Sequence, residues 1–315
     1  METRRIGSLD ASVVGLGCNN FGMRIDEDAA KAVVDAAIDA GITLFDTADI
    51  YGATKSEEFL GRALGAQRDQ VLIATKFGGP IDDQRKGGAS ADYITQACDD
   101  SLRRLGTDRI DLYQLHFPDE HTMLEETLAA LDELVRAGKV LEIGCSNFSK
   151  ELIEESERIS ADAKSARFAS VQNEYSLLRR LPEQNGVLDA CAKFGIAFIP
   201  YFPLASGALT GKYRRGEEPP AGTRLANVPA ERRDATLSDK NYDRIEALDG
   251  WARDHGHTLL ELAFAWLLAH QPVASVIAGA TKPEQVRANA AAADWQLTSA
   301  DVAEIDAVIA RAKQE

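Results

Sequence analysis

Cysteine is scarce in this sequence and too widely spaced to build a scaffold. The 315 residues include four cysteines, at positions 18, 98, 145 and 191, and no two of them form a C-x-x-C pair. Neither a structural zinc site nor a disulfide framework is indicated. We therefore expect a protein of the reducing cytoplasm.

Basic residues are also in the minority. There are 35 Lys and Arg residues against 50 Asp and Glu residues, a formal net charge of -15. Nucleic acids and anionic membrane surfaces are bound by clustered basic side chains, so neither is an expected partner. Apolar runs long enough to cross a bilayer are missing, and the first ten residues, METRRIGSLD, lack the apolar core of a signal peptide. We expect a monomer or small homo-oligomer that binds a small molecule.

What is present is an alternation of short apolar segments and longer amphipathic ones. The candidate strands are residues 14–17, 43–45, 71–74, 111–115, 140–144, 169–172, 196–200 and 274–277. Helical spacing lies between them, and several helices end at a glycine, namely 27–40, 57–64, 93–105, 124–137 and 188–194. Eight such units predict an α/β protein with a (β/α)8 TIM barrel, in a single domain spanning residues 1–315.

Three segments fall outside this rhythm. Residues 4–7 and 11–13 predict an N-terminal β-hairpin. Residues 205–240, which are rich in glycine, proline and charge, predict a long surface loop after strand 7 of the kind that covers a site. Residues 299–312 predict an extra C-terminal helix.

Two nucleotide-binding motifs are approached but not met. The stretch GLGCNNFG at 15–22 resembles the dinucleotide fingerprint, but its third glycine comes two positions late. The stretch GALTGK at 207–212 resembles a P-loop but is one residue short, and Tyr213 stands where Ser or Thr would hold magnesium. Neither a Rossmann fold nor NTPase chemistry is indicated.

Polar side chains follow three consecutive predicted strands. Asp46 and Tyr51 follow the second strand, Lys76 the third and His116 the fourth. Each has a structural alternative when taken alone, because Asp often caps a helix, Lys is often solvated and a lone His is often structural. The carboxyl ends of parallel barrel strands surround one mouth, so together these side chains favour a site.

The reduction of a carbonyl group would give each of the four a role. Tyr51 could donate the proton, but an ordinary Tyr pKa is about 10. A cation at about 4 Å is worth about 4 kcal/mol at an effective dielectric constant of about 20, so Lys76 would lower that pKa by up to roughly three units. Asp46 would pair with Lys76 and orient it. His116 would hydrogen-bond the substrate oxygen.

At this point the chain resembles the aldo-keto reductases over nearly its whole length. The matching stretches are DTADIYG at 46–52, ATK at 74–76, LHFPD at 115–119, GCSNFS at 144–149, VQNEYSLL at 171–178 and the segment 200–213. The resemblance implies Tyr51 as general acid, with Asp46, Lys76 and His116 completing a tetrad. It also implies an NADPH molecule extended across the barrel mouth.

The cofactor residues follow from the same resemblance. They are Ser146, Asn147 and Gln172 at the carboxamide, Tyr201 stacked on the nicotinamide with Phe202 beside it, Leu204, Ser206, Gly207, Leu209 and Lys212 at the pyrophosphate, and Gly279, Thr281, Lys282, Gln285 and Asn289 at the adenosine end. Many family members have Arg where Gln285 stands, so Lys282 is left to supply most of the charge for the 2'-phosphate. Use of NADH therefore stays open.

The substrate side is less determined. The residues expected to face the pocket are Asn19, Asn20, Phe21, Tyr51, Phe77, Phe117 and Phe202, and such an aromatic lining suits aldehydes, ketones and small sugars alike. The loop after strand 7, which carries Arg214, Arg215 and Arg224, is expected to shape substrate access and cofactor release.

Two alternatives to a reductase are open. A metal-dependent isomerase or lyase would use His116, His121, Asp46 and Asp49 as ligands, although their spacing across Pro118 is poor for one metal ion. A regulatory barrel would hold NADPH with little turnover, although a pure binder has no need of Tyr51 and Lys76 together. Apart from the isomerase or lyase alternative, no bound metal ion is expected.

Overall fold

Eight parallel strands form the central sheet of the protein. The structure, a computed structural model, describes residues 1–312, and within them the strands are β1 (Thr3–Ile6), β2 (Leu9–Ser12), β3 (Val14–Gly17), β4 (Leu44–Asp46), β5 (Leu72–Phe77), β6 (Ile110–Leu115), β7 (Val140–Ser146), β8 (Phe168–Gln172), β9 (Ala197–Phe198) and β10 (Val276–Gly279). The sheet has the order β10-β3-β4-β5-β6-β7-β8-β9.

Backbone hydrogen bonds close this sheet into a ring. Phe198 N donates to Pro272 O at 3.0 Å, and Ala274 N donates to Phe198 O at 2.9 Å, which joins β9 to the segment that leads into β10. The predicted (β/α)8 TIM barrel is thus confirmed.

Helices alternate with the barrel strands and pack around them. They are α1 (Glu27–Asp39), α2 (Lys55–Leu64), α3 (Ala91–Leu105), α4 (Leu124–Arg136), α5 (Lys150–Ala163), α6 (Leu181–Gln184), α7 (Val187–Phe194), α8 (Ala230–Thr236), α9 (Asp239–Asp254), α10 (Leu259–Leu268), α11 (Pro283–Ala291) and α12 (Ser299–Arg311). Their apolar faces are buried, as Leu128, Leu131 and Leu134 of α4 show. Among residues 1–312, no helix combines the length and the apolar character that crossing a bilayer demands.

The β1–β2 hairpin closes the amino end of the barrel. Leu44, Ala169 and Ala197, which lie at the starts of β4, β8 and β9, pack in one apolar cluster with Ile6 and Leu9 of the hairpin. The interior at this end is therefore filled by hydrophobic side chains, and the polar groups are left to the carboxyl ends of the strands.

The long connection after β9 and the final helix are both present. The connection is not wholly irregular, because it contains 3-10 turns at Ala205–Thr210 and Leu225–Asn227 as well as α8, which begins directly after Pro229. Helix α12 starts with a capping box, in which the side chains of Thr298 and Asp301 each bind the backbone N–H of the other.

Candidate active site

A cavity of about 700 Å³ opens at the carboxyl ends of the barrel strands. The residues on its wall that the sequence predicted are Asn19, Asn20, Asp46, Tyr51, His116, Phe117, Ser146, Asn147, Gln172, Tyr201, Phe202, Leu204, Ser206, Gly207, Lys212, Arg224, Gly279, Thr281, Lys282 and Gln285. Strand ends and the long connection after β9 therefore share one cavity of the size of a small-molecule site.

Lys76 and Asp46 form an ion pair beneath this cavity. Lys76 is completely buried, and its Nζ donates to Asp46 Oδ1 at 2.6 Å and to Thr47 O at 2.9 Å. The other carboxylate oxygen, Oδ2, accepts from Gln172 Nε2 at 2.9 Å. Burial alone would lower the pKa of Lys76, but Asp46 and Tyr51 outweigh it and raise that pKa above its ordinary value. The ammonium is therefore held charged and fixed in place.

Tyr51 lies between Lys76 and His116. Lys76 Nζ is 5.4 Å from the centre of the Tyr51 ring, and the His116 ring meets the Tyr51 ring edge-on with a centroid distance of 5.8 Å. Burial raises the pKa of Tyr51, and the positive charge of Lys76 opposes this without reversing it. The expected net lowering of the Tyr51 pKa is therefore wrong. Desolvation raises this pKa by more than Lys76 lowers it, and the negative charge of Asp46 raises it further.

His116 is held as a neutral imidazole. Burial, followed by the charge of Lys76, lowers the pKa of His116 to about 3. The ring stacks on Phe117 with centroids 4.4 Å apart, and within residues 1–312 its Nδ1 has no hydrogen-bond partner. A neutral imidazole can donate one hydrogen bond to an oxygen atom without carrying a charge into the cavity.

The next part of the wall is a set of linked polar side chains. Asn147 has a left-handed backbone (φ 62°), and its Nδ2 donates to His116 O at 3.0 Å and to Ser146 Oγ at 3.1 Å. Its Oδ1 accepts from the Tyr201 hydroxyl at 2.8 Å. The amide of Gln172 is fixed through Nε2 by Asp46. These contacts couple the residues predicted to hold the nicotinamide directly to His116 and Asp46.

The turn after β9 carries a lysine without a carboxylate partner. Ser206 and Gly207 both have positive φ values, 60° and 94°, and a Cβ added at Gly207 would lie 2.8 Å from Lys212 Nζ. Burial, followed by the charge of Arg24, lowers the pKa of Lys212. Within residues 1–312 Lys212 forms no ion pair, and its Nζ lies close to Gly207 and 5.3 Å from the centre of the Tyr213 ring.

The far end of the cavity is formed by the turn that enters α11. Gln285 Oε1 accepts from Thr281 N at 2.8 Å, which fixes the turn and leaves the amide nitrogen of Gln285 available. Lys282 is the N-cap of α11, and Pro283 is the first residue of that helix. An exposed cation at a helix N-terminus suits a phosphate group.

The sequence profile of the Aldo/keto reductase family matches residues 13–310. The chain belongs to the aldo/keto reductase family. It is 33% identical over 307 residues to the L-glyceraldehyde 3-phosphate reductase of Escherichia coli (strain K12), and this alignment covers 93% of this chain and 87% of that protein. It is 36% identical over 305 residues to the uncharacterized oxidoreductase YrpG of Bacillus subtilis, covering 91% and 89%. It is also 33% identical over 306 residues to a probable voltage-gated potassium channel subunit beta of Oryza sativa, covering 92% and 90%.

Four residues expected at the site do not line the cavity of this aldo/keto reductase. Phe77 stacks on Tyr113 at 4.7 Å, because successive side chains of a strand alternate and the inward Lys76 turns Phe77 outward. Phe21 and Leu209 are fully buried in the apolar core, and Asn289 is buried in α11. The expectation that Phe21 and Phe77 face the pocket is corrected accordingly, while the cofactor roles of Leu209 and Asn289 stay predictions.

Several wall residues had no signal in the sequence. Met23 and Arg24 follow β3, and Thr223 and Arg232 lie in the long connection after β9. None belongs to a periodic pattern or a motif, so the path of the backbone alone brings them to the site. Arg214 and Arg215, by contrast, do not line the cavity, and Arg215 pairs instead with acidic residues of α9.

The ligand set imagined for a metal enzyme does not come together. Within residues 1–312, no three His, Cys, Asp or Glu side chains are arranged to hold a metal ion. Asp49, one of the ligands considered, is completely buried, and neither of its carboxylate oxygens has a hydrogen-bond partner in that part of the chain. Burial, followed by the charge of Glu57, raises the pKa of Asp49 to about 8, so its carboxyl group is mostly protonated at neutral pH.

Proposed function

We propose that this protein is an NADPH-dependent reductase that converts the carbonyl group of an aldehyde or ketone to an alcohol. One observation carries the proposal. Tyr51, Lys76, Asp46 and His116, from three different strand ends, meet at the base of one cavity. We also propose that the protein is located in the cytoplasm. Its four cysteines are all free and buried, which is compatible with a reducing compartment.

The cavity fits a dinucleotide that lies across the barrel mouth. It runs from Tyr51 past Tyr201 and the turn at Gly207 to Lys282. The unpaired Lys212 beneath Gly207 supports a pyrophosphate at that turn, and the α11 N-terminus supports the 2'-phosphate. When bound, the cofactor supplies a hydride from its nicotinamide ring to the carbonyl carbon.

Tyr51 is the proposed proton donor. Its raised pKa keeps the phenol protonated at neutral pH, so the donor is loaded before reaction. As the proton leaves, negative charge develops on the phenol oxygen, and the fixed ammonium of Lys76 stabilises that charge. Neutral His116 orients the substrate oxygen through a hydrogen bond.

The test is a turnover assay. Purified protein is mixed with 4-nitrobenzaldehyde, a ketone and a small sugar, and absorbance at 340 nm is followed with NADPH and with NADH separately. We expect steady oxidation, with a higher kcat/KM for NADPH. Tight NADPH binding with no oxidation by any substrate would reject the reductase.

That negative result would favour the second candidate, a regulatory barrel that holds the cofactor. The observation behind it is the relative named as a probable potassium channel subunit, which matches over 92% of this chain. The buried Lys76–Asp46 pair beside Tyr51 weighs against a regulatory barrel. Cofactor binding alone needs neither a proton donor nor a cation that stabilises the phenolate formed when that donor loses its proton.

A further inference from the structure

A second group of buried polar side chains lies behind the wall of the cavity. Thr75 precedes Lys76 in β5, so its side chain is turned outward, away from the cavity. Its hydroxyl donates to Glu57 Oε1 of α2 at 2.6 Å, and Arg104 Nε of α3 donates to Glu57 Oε2 at 2.6 Å. Neither Thr75 nor Glu57 has exposed surface. These contacts therefore occupy the layer between the barrel and the helices α2 and α3.

Asp49 adds a carboxyl group to this layer. It has no exposed surface, and within residues 1–312 neither of its carboxyl oxygens has a hydrogen-bond partner. The hydroxyl groups of Tyr93 in α3 and Tyr113 in β6 are likewise buried without a partner in that part of the chain. Buried polar groups are nearly always hydrogen-bonded, because the loss of hydration is not otherwise offset. These atoms therefore call for a partner that they can share.

The three unpartnered side chains lie near one another. Burial, followed by Asp49, raises the pKa of Tyr93 to about 12. Burial, followed by Cys98 and then Asp49, raises the pKa of Tyr113 well above its ordinary value. Among the described residues, no hydrogen bond joins the Asp49 carboxyl directly to either hydroxyl. A bound water molecule, which takes two to four polar partners, is small enough to join them.

The backbone of Asp49 belongs to the turn that carries Tyr51. Asp49 N donates to Lys76 O at 3.1 Å, and Tyr51 N donates to Ala48 O at 3.2 Å. Residues 52–54, which follow, all have positive φ values, of 58°, 53° and 77°. Because residues other than glycine seldom adopt such values, contacts around the turn must hold it in this conformation. The position of the Tyr51 ring consequently depends on the side chains that anchor the turn.

We propose that Asp49 is a positioning residue for Tyr51, and that its carboxyl group binds buried water shared with Tyr93 and Tyr113. The protonated acid suits this role, because it donates one hydrogen bond and accepts others. This inference rests on the proposed reductase function, in which Tyr51 is the proton donor. The competing role for Asp49 is a purely structural one, and the experiment separates the two.

The charged groups that face Asp49 favour the protonated acid. Burial, followed by the charge of Glu57 from α2, raises the pKa of Asp49 to about 8. Arg104 from α3 and Lys76 from β5 oppose this with their positive charges. At neutral pH the carboxyl group is therefore mostly protonated and can donate to water.

The experiment compares Asp49→Asn, which keeps a donor and an acceptor, with Asp49→Leu, which keeps the approximate size and loses both. Reduction of 4-nitrobenzaldehyde by NADPH is followed for each. We expect Asp49→Leu to lower kcat by about tenfold or more with KM for NADPH within about twofold, because a displacement of about 1 Å can slow a reaction by about 10²-fold. Asp49→Asn should keep kcat within about twofold of the wild-type value.

Two further variants remove only a hydroxyl from the shared site. Tyr93→Phe and Tyr113→Phe should each lower kcat severalfold, and they decide the question in the same way if Asp49→Leu does not fold. Tyr175→Phe is the matched control, because the buried Tyr175 bonds through its hydroxyl to Glu183 of α6 at 2.6 Å instead. It should leave kcat unchanged.

Two results would overturn the proposal. If Asp49→Leu, Tyr93→Phe and Tyr113→Phe lower stability towards urea but leave kcat within about twofold, Asp49 has a structural role alone. If Asp49→Asn and Asp49→Leu lose kcat equally, the hydrogen bonds of the carboxyl group are not what positions Tyr51.

A measurement without turnover keeps this proposal distinct from the reductase proposal. In protein labelled with 3-fluorotyrosine, the fluorine NMR signal of Tyr51 is assigned with Tyr51→Phe. Asp49→Leu and Tyr113→Phe should shift this signal by more than Tyr175→Phe does, and Asp49→Asn should leave it in place. That pattern in a protein that reduces no aldehyde would support the positioning of Tyr51 by Asp49 and reject the reductase. Turnover with an unchanged Tyr51 signal in every variant would support the reductase and reject the positioning role.

Discussion

The ammonium of Lys76 lies 5.4 Å from the centre of the Tyr51 ring and has no exposed surface. The cation can therefore act on the phenol without competition from water, which strengthens an electrostatic interaction severalfold over that at a surface. Desolvation still raises the pKa of the phenol. The arrangement consequently favours a protonated Tyr51 before reaction and a stabilised anion afterwards.

Replacing Tyr51 with Phe tests the proton donor. We expect the rate of carbonyl reduction to fall by roughly 10²- to 10⁴-fold, because general acid catalysis is lost. NADPH affinity, measured by fluorescence titration, should stay close to that of the wild-type protein, since the ring is retained. A variant with most of its rate intact would remove Tyr51 from the role.

Asp46→Asn tests the ion pair. In the wild-type protein Asp46 raises the pKa of Lys76 against the effect of burial. Without that carboxylate, burial dominates and the pKa of Lys76 falls, so the charged form is lost as the pH rises through a lower value than before. We expect the alkaline limb of the pH profile of kcat/KM to move to lower pH. If that limb stayed at the same pH in the variant, Asp46 would not be what keeps Lys76 charged.

His116 should remain neutral throughout the physiological range, because its pKa is lowered to about 3 by burial and by Lys76. Its imidazole resonances should therefore not titrate between about pH 5 and 8 in NMR spectra, where an ordinary His pKa is about 6.5. His116→Gln provides the assignment by deleting one set of signals. A midpoint near 6.5 for the deleted signals would show that the ring becomes charged in the folded protein.

The sequence predicted the barrel and the four polar groups for one physical reason. Strand alternation and parallel topology determine where strand ends meet, and both can be read from local patterns. The same alternation, applied to Lys76, would have turned Phe77 away from the cavity, so that error was avoidable. Arg232 and the raised pKa of Tyr51 were not predictable, because they depend on the path of a long connection and on the degree of burial.

Lys282→Ala tests the cofactor preference. Lys282 is exposed at the N-terminus of α11. The neighbouring Gln285 is neutral, and its Oε1 accepts a hydrogen bond from Thr281 N, so Gln285 supplies no positive charge to the cavity. We expect the variant to weaken NADPH binding by roughly tenfold and NADH binding much less, since a charge-assisted contact to the 2'-phosphate is lost. Lys31→Ala, whose partner is Asp35 on the surface of α1, is the control. Equal losses for both cofactors would take Lys282 away from the 2'-phosphate.

Asp49→Asn should stabilise the protein increasingly as the pH rises. The pKa of Asp49 is raised to about 8 in the folded chain, against about 3.9 for an ordinary Asp. Between these values the unfolded state has released a proton that the folded state retains, so stability falls with rising pH until the folded group also ionises. An amide resembles the protonated acid in shape and does not ionise, so the variant avoids this loss. We expect a gain of roughly 1–3 kcal/mol at pH 8 and little gain near pH 4, from urea unfolding at both values. Asp108→Asn is the control, because the side chain of Asp108 is 93% exposed, and its stability should show no such dependence on pH. If Asp49→Asn gained the same stability at both pH values, the buried carboxyl group would not titrate as described.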